Sequence, residues 1–386
     1  MQHSSIFRMP PLIRVGEGAA KLTGEEALRL GAKKAMVITD RHIFSNGTIQ
    51  PILDSLTASG VEIVMFSEVT PEPTITDVIN SLELLRKSDC DIIVACGGGS
   101  PIDVAKAISF MFTNPGSIHE YTGINKVKNL GLPVIAIPTT AGSGSEVSQA
   151  AIVTDREYDM KMLILSPLLI PQVAIVDPLL TMSMPKNLTA ATGMDALTHA
   201  IEAYVSRKAQ PTSDMFALNA IRLLYANLLK AWKQPDDKEA RSNTLLGALY
   251  AGIAFSNSSV ALVHGMSRPV GALFNVPHGI SNAALLGPIM QFSLDGNMKR
   301  YADIAVAMGL NAAGSMENIA GEGAQKVREL IAQLEIPGLE KLGVDGDKLG
   351  SLVEKMAEDA LASGSPANNP KLASKEDIIR LYYEAL

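Results

Sequence analysis

Asp195 and His199 stand four residues apart in the segment Gly193-Met194-Asp195-Ala196-Leu197-Thr198-His199-Ala200-Ile201-Glu202, which has helical character. At that spacing a carboxylate and an imidazole share one helix face and can grip one cation. Two further histidines, His264 and His278, lie in HGMSRPVGALFNVPHG, each followed by a glycine that lets the backbone come close to something bulky. The chain has six histidines, His3, His42, His119, His199, His264 and His278, so three of them fall in this one part. One carboxylate and three neutral imidazoles make a four-point site for a divalent transition metal, with a position left open for substrate. Each piece alone has a plainer reading. An Asp/His pair at i, i+4 is usually a surface or capped pair, and His264 alone is more often a core histidine with its hydrogen bonds met. Spacing does not by itself bring the four together.

A second kind of chemistry sits earlier in the chain. After the apolar run IIVA comes Cys96-Gly97-Gly98-Gly99-Ser100-Pro101, three glycines followed by a Ser-Pro pair suited to the N-cap and first position of a helix. A helix start of this kind offers free N–H groups and the positive end of the helix dipole to a pyrophosphate. A tight strand-to-helix turn without a ligand is the alternative. The run VIAI leads into a similar loop, Pro138-Thr139-Thr140-Ala141-Gly142-Ser143, with hydroxyls and open backbone. Two such loops at the carboxyl ends of parallel strands mark where α/β sheets bind ligands. Asp40, at the end of AMVIT, either accepts hydrogen bonds from the adenosine ribose, which favours NAD over NADP, or caps the following helix.

These loops need a parallel sheet to present them. The runs Ala35–Thr39, Val61–Phe66, Ile92–Ala95 and Val134–Ile137 are short and rich in β-branched residues, as buried parallel strands are. Helical spacing separates them over Ile49–Ser59, Thr76–Lys87 and Pro101–Phe112, so helices are expected on both sheet faces. Beyond Pro185 the chain reads as helix throughout. The expectation is an α/β dinucleotide-binding domain over residues 1–182 and an all-helical metal and substrate domain over 183–386, a division that suits 386 residues.

Composition narrows the partners. With 47% hydrophobic and 19% charged residues the chain is ordinary globular protein, and a net charge of -7 without basic runs argues against nucleic acid or an anionic membrane. Two cysteines, Cys90 and Cys96, have no metal-like spacing, and neither a secretory signal nor an 18-residue apolar span is present. A reduced, cytoplasmic setting and a small-molecule substrate are expected.

Taken in order, GGGSPIDVAK, PTTAGSGSEV, AATGMDALTHAIEAYV and HGMSRPVGALFNVPHGISNA resemble the signatures of the iron-containing (group III) alcohol dehydrogenases, over essentially the whole chain. The resemblance implies a dehydroquinate synthase-like pair of domains with cofactor and metal facing each other across a cleft. It implies Asp195, His199, His264 and His278 as metal ligands, usually for Fe(II), although the donor set also accepts Zn(II) or another divalent ion. It implies that Gly97, Gly98, Gly99 and Ser100 cradle the pyrophosphate, that Thr139, Thr140 and Ser143 hold the cofactor near its phosphates and nicotinamide, and that Lys161 contacts its ribose. Asp40 matches the acidic residue that goes with NAD, Phe255 a pocket-lining position, and His278 a ligand that also orients the nicotinamide. The expected reaction is hydride transfer between a small alcohol or aldehyde and NAD, in a homodimer or higher homo-oligomer. A dehydroquinate synthase-like lyase is the alternative.

One position departs from that pattern. Many members carry a histidine four residues after the third ligand, where this chain has Arg268. A guanidinium stays protonated and cannot relay a proton. Arg268 instead either favours a substrate with an anionic tail or closes an internal salt bridge.

Overall fold

The computed structural model describes residues 4–157 and 160–386; His3 lies outside them. The chain separates into two compact units, one of Arg8–Ser183 and one of Met184–Leu386 joined by the N-terminal residues 4–7. That short segment is held to the helical unit by Gln210 Nε2, which donates to the Ile6 carbonyl at 3.0 Å, and by Phe7 stacked on Phe216 at 5.7 Å.

The first unit has strands β1 (Leu12–Val15), β2 (Lys34–Ile38), β3 (Glu62–Phe66), β4 (Ile92–Gly97), β5 (Gly123–Ile124), β6 (Val134–Pro138), β7 (Ala150–Asp155), β8 (Met160–Leu165) and β9 (Val173–Val176). Its helices are α1 (Thr23–Arg29), α2 (Arg41–Ser45), α3 (Gln50–Ala58), α4 (Ile75–Ser88) and α5 (Gly99–Thr113). Six strands form a parallel sheet in the order β1-β9-β6-β4-β2-β3. Side chains alternate between two cores. Met36, Ile38, Ile93 and Ala95 pack with Val78, Leu82 and Ile108, while Ala35, Val37, Ile92 and Val94 pack with Ala27, Ile52 and Leu56. Helices therefore cover both faces, each fully buried side chain such as Ile52 or Leu56 contributing about 1.5–3 kcal/mol. The strand order reverses beside β2, so the loops after β2 and β4 open at a topological switch point.

Sequence pattern does not announce everything here. β7 and β8 form an antiparallel hairpin that joins β5 in a separate sheet. The start of α5 also differs from expectation. Gly98 is its N-cap, with no side-chain cap, and Ser100 is already inside the first turn, where its hydroxyl donates to the Pro71 carbonyl at 2.5 Å. Gly98 can take the cap position without a side chain, which shifts the helix start by two residues.

The second unit is helical: α6 (Lys186–Val205), α7 (Pro211–Lys233), α8 (Lys238–Asn257), α9 (Leu262–Phe274), α10 (His278–Ser293), α11 (Met298–Ala307), α12 (Met316–Gln333), α13 (Gly346–Ala362) and α14 (Lys375–Glu384). α6 packs against α7, α8 and α10 and is buried almost all round from Gly193 to Val205. Among the described residues no single helix is long and apolar enough to cross a membrane.

Candidate functional site

A helix buried on all sides is expected to be apolar, yet α6 carries Asp195, His199 and Glu202 there. Buried charge needs a partner. Asp195 finds three: its Oδ1 lies 4.0 Å from His199 Nε2, 3.6 Å from His264 Nε2 and 3.8 Å from His278 Nε2. His264 comes from the first turn of α9 and His278 opens α10, so three helices deliver one donor cluster. Gly279 permits the last approach, since a Cβ there would lie 2.4 Å from the Ala191 carbonyl oxygen of α6. Gly265 serves a different neighbour, the ring of Pro366, which its Cβ would meet at 2.7 Å.

The rings are set firmly. His264 Nδ1 donates to Glu202 Oε2 at 2.5 Å, which directs Nε2 toward Asp195, and the Glu202 carboxylate also accepts the backbone N–H groups of Ala261 and Val263 at 2.9 and 2.6 Å. His199 is stacked between His264 and Phe255, at ring distances of 4.5 and 4.4 Å. Burial opposes ionisation of Asp195, but the imidazoles, His199 foremost, outweigh it and hold the carboxyl far below the usual carboxylate range. Burial likewise opposes a charge on His264, and Glu202 with Asp195 overcomes it, raising that ring to about 9. Two buried carboxylates thus demand positive charge.

That cluster fits a divalent metal. Ligand atoms about 2.0–2.2 Å from one ion lie roughly 3.0–3.5 Å apart, close to the spacings here, and one oxygen with imidazole nitrogens is a donor set that iron and zinc accept. Asp195, His199 and His264 alone already bring ligand atoms within 4.8 Å of one another. His278 is the open side, its side chain 38 % accessible against 10 %, 7 % and 4 % for Asp195, His199 and His264.

Arg268 stands one turn after His264 on α9, and the internal salt bridge weighed above is absent: among the described residues its guanidinium has no hydrogen bond or ion pair. Burial lowers its pKa, with Glu202 pulling the other way.

In the α/β unit, the two loops meet because β4 and β6 are neighbours. A Cβ on Gly98 would lie 3.5 Å from Thr140, and one on Gly99 would lie 3.1 Å from Ser143. A Cβ on Gly97 would strike the Pro101 ring at 2.5 Å. Thr139 donates its backbone N–H to the Gly97 carbonyl at 2.9 Å. The uncapped N-terminus of α5 and the bare backbone of Gly98 and Gly99 make a cradle that suits a pyrophosphate. Asp40 caps α2, accepting from Ile43 N at 2.9 Å, and Lys161 on β8 pairs with Glu72 at 3.0 Å.

Three contributors escaped the sequence reading although each lies inside a motif already quoted. Glu202 follows His199 by three residues, a spacing that puts both on one face. Asn282 follows His278 by four on α10. Lys106 on α5 is buried and its Nζ donates to Ser145 Oγ, the Ser148 carbonyl and the Ala150 carbonyl at 2.9–3.0 Å, tying the helix to the second loop. Ser145 in turn donates to Asp103, also on α5.

With this geometry in view, the likeness to known proteins is direct. Residues 10–178 match the iron-containing alcohol dehydrogenase model and residues 189–386 match the C-terminal domain of the Fe-containing alcohol dehydrogenase family. The chain belongs to the iron-containing alcohol dehydrogenase family. It is 38% identical to a 1,3-propanediol dehydrogenase of Citrobacter freundii over 98% of both chains, and 37% identical to an NAD-dependent methanol dehydrogenase of Bacillus methanolicus over 98% of this chain and 99% of that one. A crystal structure of a 1,3-propanediol oxidoreductase superposes with a TM-score of 0.97 at 37% identity, covering all of both chains. The protein is an oxidoreductase of alcohols and aldehydes, and these relatives do not favour the lyase alternative.

Proposed function

We propose that this chain interconverts a small primary alcohol and its aldehyde by hydride exchange with NAD(H), using a divalent metal, Fe(II) by family and Zn(II) by donor chemistry, held by Asp195, His199, His264 and His278. The convergence of three imidazole Nε2 atoms on one Asp195 oxygen within 4.0 Å carries the reading. A cation held by those four side chains would supply Lewis acidity at the substrate oxygen, and a nicotinamide dinucleotide held by the glycine loop would supply the hydride chemistry.

The protein's own groups bind and orient. Gly97, Gly98, Gly99 and Ser100 leave room and N–H groups for the pyrophosphate, Thr139, Thr140 and Ser143 line the adjoining loop, and Lys161 reaches a ribose by exchanging its bond to Glu72. Asp40 has an oxygen engaged in capping and its acidity still disfavours a 2′-phosphate, which supports NAD over NADP. Phe255 fixes the plane of His199 by stacking. No side-chain base stands at Arg268, so the proton leaves through water or the ribose hydroxyls. The unpaired guanidinium of Arg268 supports a substrate whose far end carries a carboxylate or sulfonate. Two buried thiols outside any disulfide, Cys90 and Cys96, suit a reducing cytoplasm.

The test is a panel of aldehydes and alcohols assayed with NAD(H) and NADP(H), using protein stripped of metal and reloaded with Fe(II) or Zn(II). Turnover that returns with metal and prefers NADH is the expected result. No turnover with any metal, or undiminished turnover without one, rejects the proposal.

A further inference from the structure

Asn282 is fully buried on α10, one turn after His278, and the end of its carboxamide lies among the donor atoms. Its Nδ2 donates to Asp195 Oδ1 at 2.7 Å and lies 3.1 Å from His264 Nε2 and 3.2 Å from His278 Nε2. It is thus closer to each of these atoms than any imidazole nitrogen is to the carboxylate oxygen, 3.6 Å at the nearest. Meanwhile its Oδ1 is buried without a hydrogen-bond partner among the described residues. Leaving a buried acceptor unsatisfied is costly and calls for a reason.

The reason lies in what the three atoms share. In the neutral form that can ligate, two Nε2 atoms and a carboxylate oxygen aimed at one point present lone pairs to one another and repel. An amide NH2 is uncharged and carries two polarised hydrogens, one for Asp195 Oδ1 and one that faces the two Nε2 atoms, without occupying a charge site. On the other side of the His264 ring, Nδ1 donates to Glu202 at 2.5 Å. Neighbours on opposite edges therefore hold the ring with Nε2 toward Asp195. Asp195, His264 and His278 come from α6, α9 and α10, so a single side chain ties together the three helices that supply the donors.

We propose that Asn282 is a positioning residue that gathers Asp195, His264 and His278 into ligating geometry, so that a divalent cation meets an assembled site. The proposal rests on the four-donor reading given above.

Cobalt(II) serves as probe, with full-length wild type, Asn282→Leu, Asn282→Ser and His264→Ala. Leu keeps the size and loses the donors; Ser shortens the side chain out of reach and gives a second variant if Leu does not fold. Affinity is measured by competition with a chelator, the site by the visible d–d absorption of Co(II), and the fold by melting of the metal-free protein. Both Asn282 variants should bind Co(II) about 10- to 100-fold more weakly, with shifted d–d bands and unchanged melting. Wild-type affinity with a wild-type spectrum overturns the proposal. So does weaker binding that comes with lower melting and an unaltered spectrum, because the amide would then act only in packing. Failure of the four-donor reading looks different: wild type would not bind Co(II), or His264→Ala would bind it as wild type does.

Discussion

Glu202 accepts from His264 Nδ1 at 2.5 Å across 62 residues of chain, and through the same carboxylate it takes the backbone N–H groups that open α9. One side chain on the ligand-bearing helix thus fixes both the position of the next helix and the orientation of its imidazole. Carboxylate partners of this kind raise the basicity of a ligating ring.

Replacing that carboxylate should therefore weaken metal binding without unfolding the protein. Glu202→Gln keeps an acceptor for the backbone but not the charge. Chelator competition should show metal affinity lower by about 10- to 100-fold, while far-ultraviolet circular dichroism stays that of wild type.

The cradle in the α/β unit predicts a separate loss. Gly99→Ala places a methyl 3.1 Å from Ser143, so the two loops must part slightly. The dissociation constant for NADH, read by fluorescence titration, should rise by about tenfold, equivalent to about 1.4 kcal/mol. Metal content should be unaffected; a parallel loss of metal would contradict the assignment of this loop to the dinucleotide.

A pH effect follows from Glu146, which is buried beside Lys106 and whose pKa burial raises from 4.5 to about 7. The folded state then holds a proton that the unfolded chain releases between those values, so this group favours folding below about 4.5 and loses that contribution as pH rises through 7. Glu146→Gln mimics the protonated form. Its melting temperature relative to wild type should rise between pH 5 and pH 8; a constant difference would show that the carboxyl is not desolvated.

Arg268 makes the sharpest statement about substrate. With no hydrogen bond or ion pair among the described residues, its guanidinium is the group that we propose an anionic tail would meet. The ratio of kcat/KM for a carboxylated or sulfonated aldehyde over that for ethanal should fall by about tenfold or more in Arg268→Ala, in line with about 1.5–3 kcal/mol for a hydrogen bond to a charged group. An unchanged ratio ends the idea.

Much of this is legible in the amino-acid sequence. Strands β2, β3, β4 and β6 are runs of β-branched residues, and Asp195 with His199 declares a shared helix face by spacing alone. What could not be read is whatever depends on distant chain. Glu202 lies on the predicted face, but its partner is 62 residues away and no local pattern names it. Asn282 is an ordinary helix residue until α10 is laid against α6. The β7–β8 hairpin escaped because its burial alternates while its residue types do not: Ile152, Leu163 and Leu165 are apolar on the less buried face, and Asp155 is polar on the buried one. Ser100 followed by Pro101 is a sound capping pair, yet Gly98 took the cap because its open backbone could, and the serine hydroxyl found Pro71 instead.

Gly279 carries a wider lesson. Its hydrogen faces the main chain of α6 where even a methyl would collide, so the fourth donor reaches the cluster by virtue of an atom that is not there. A Gly279→Ala protein would keep all four candidate ligands in its sequence and still present three in space. Counting donor residues therefore overstates what such a chain can hold, and the glycine beside the last histidine is as diagnostic of a competent site as the histidine itself.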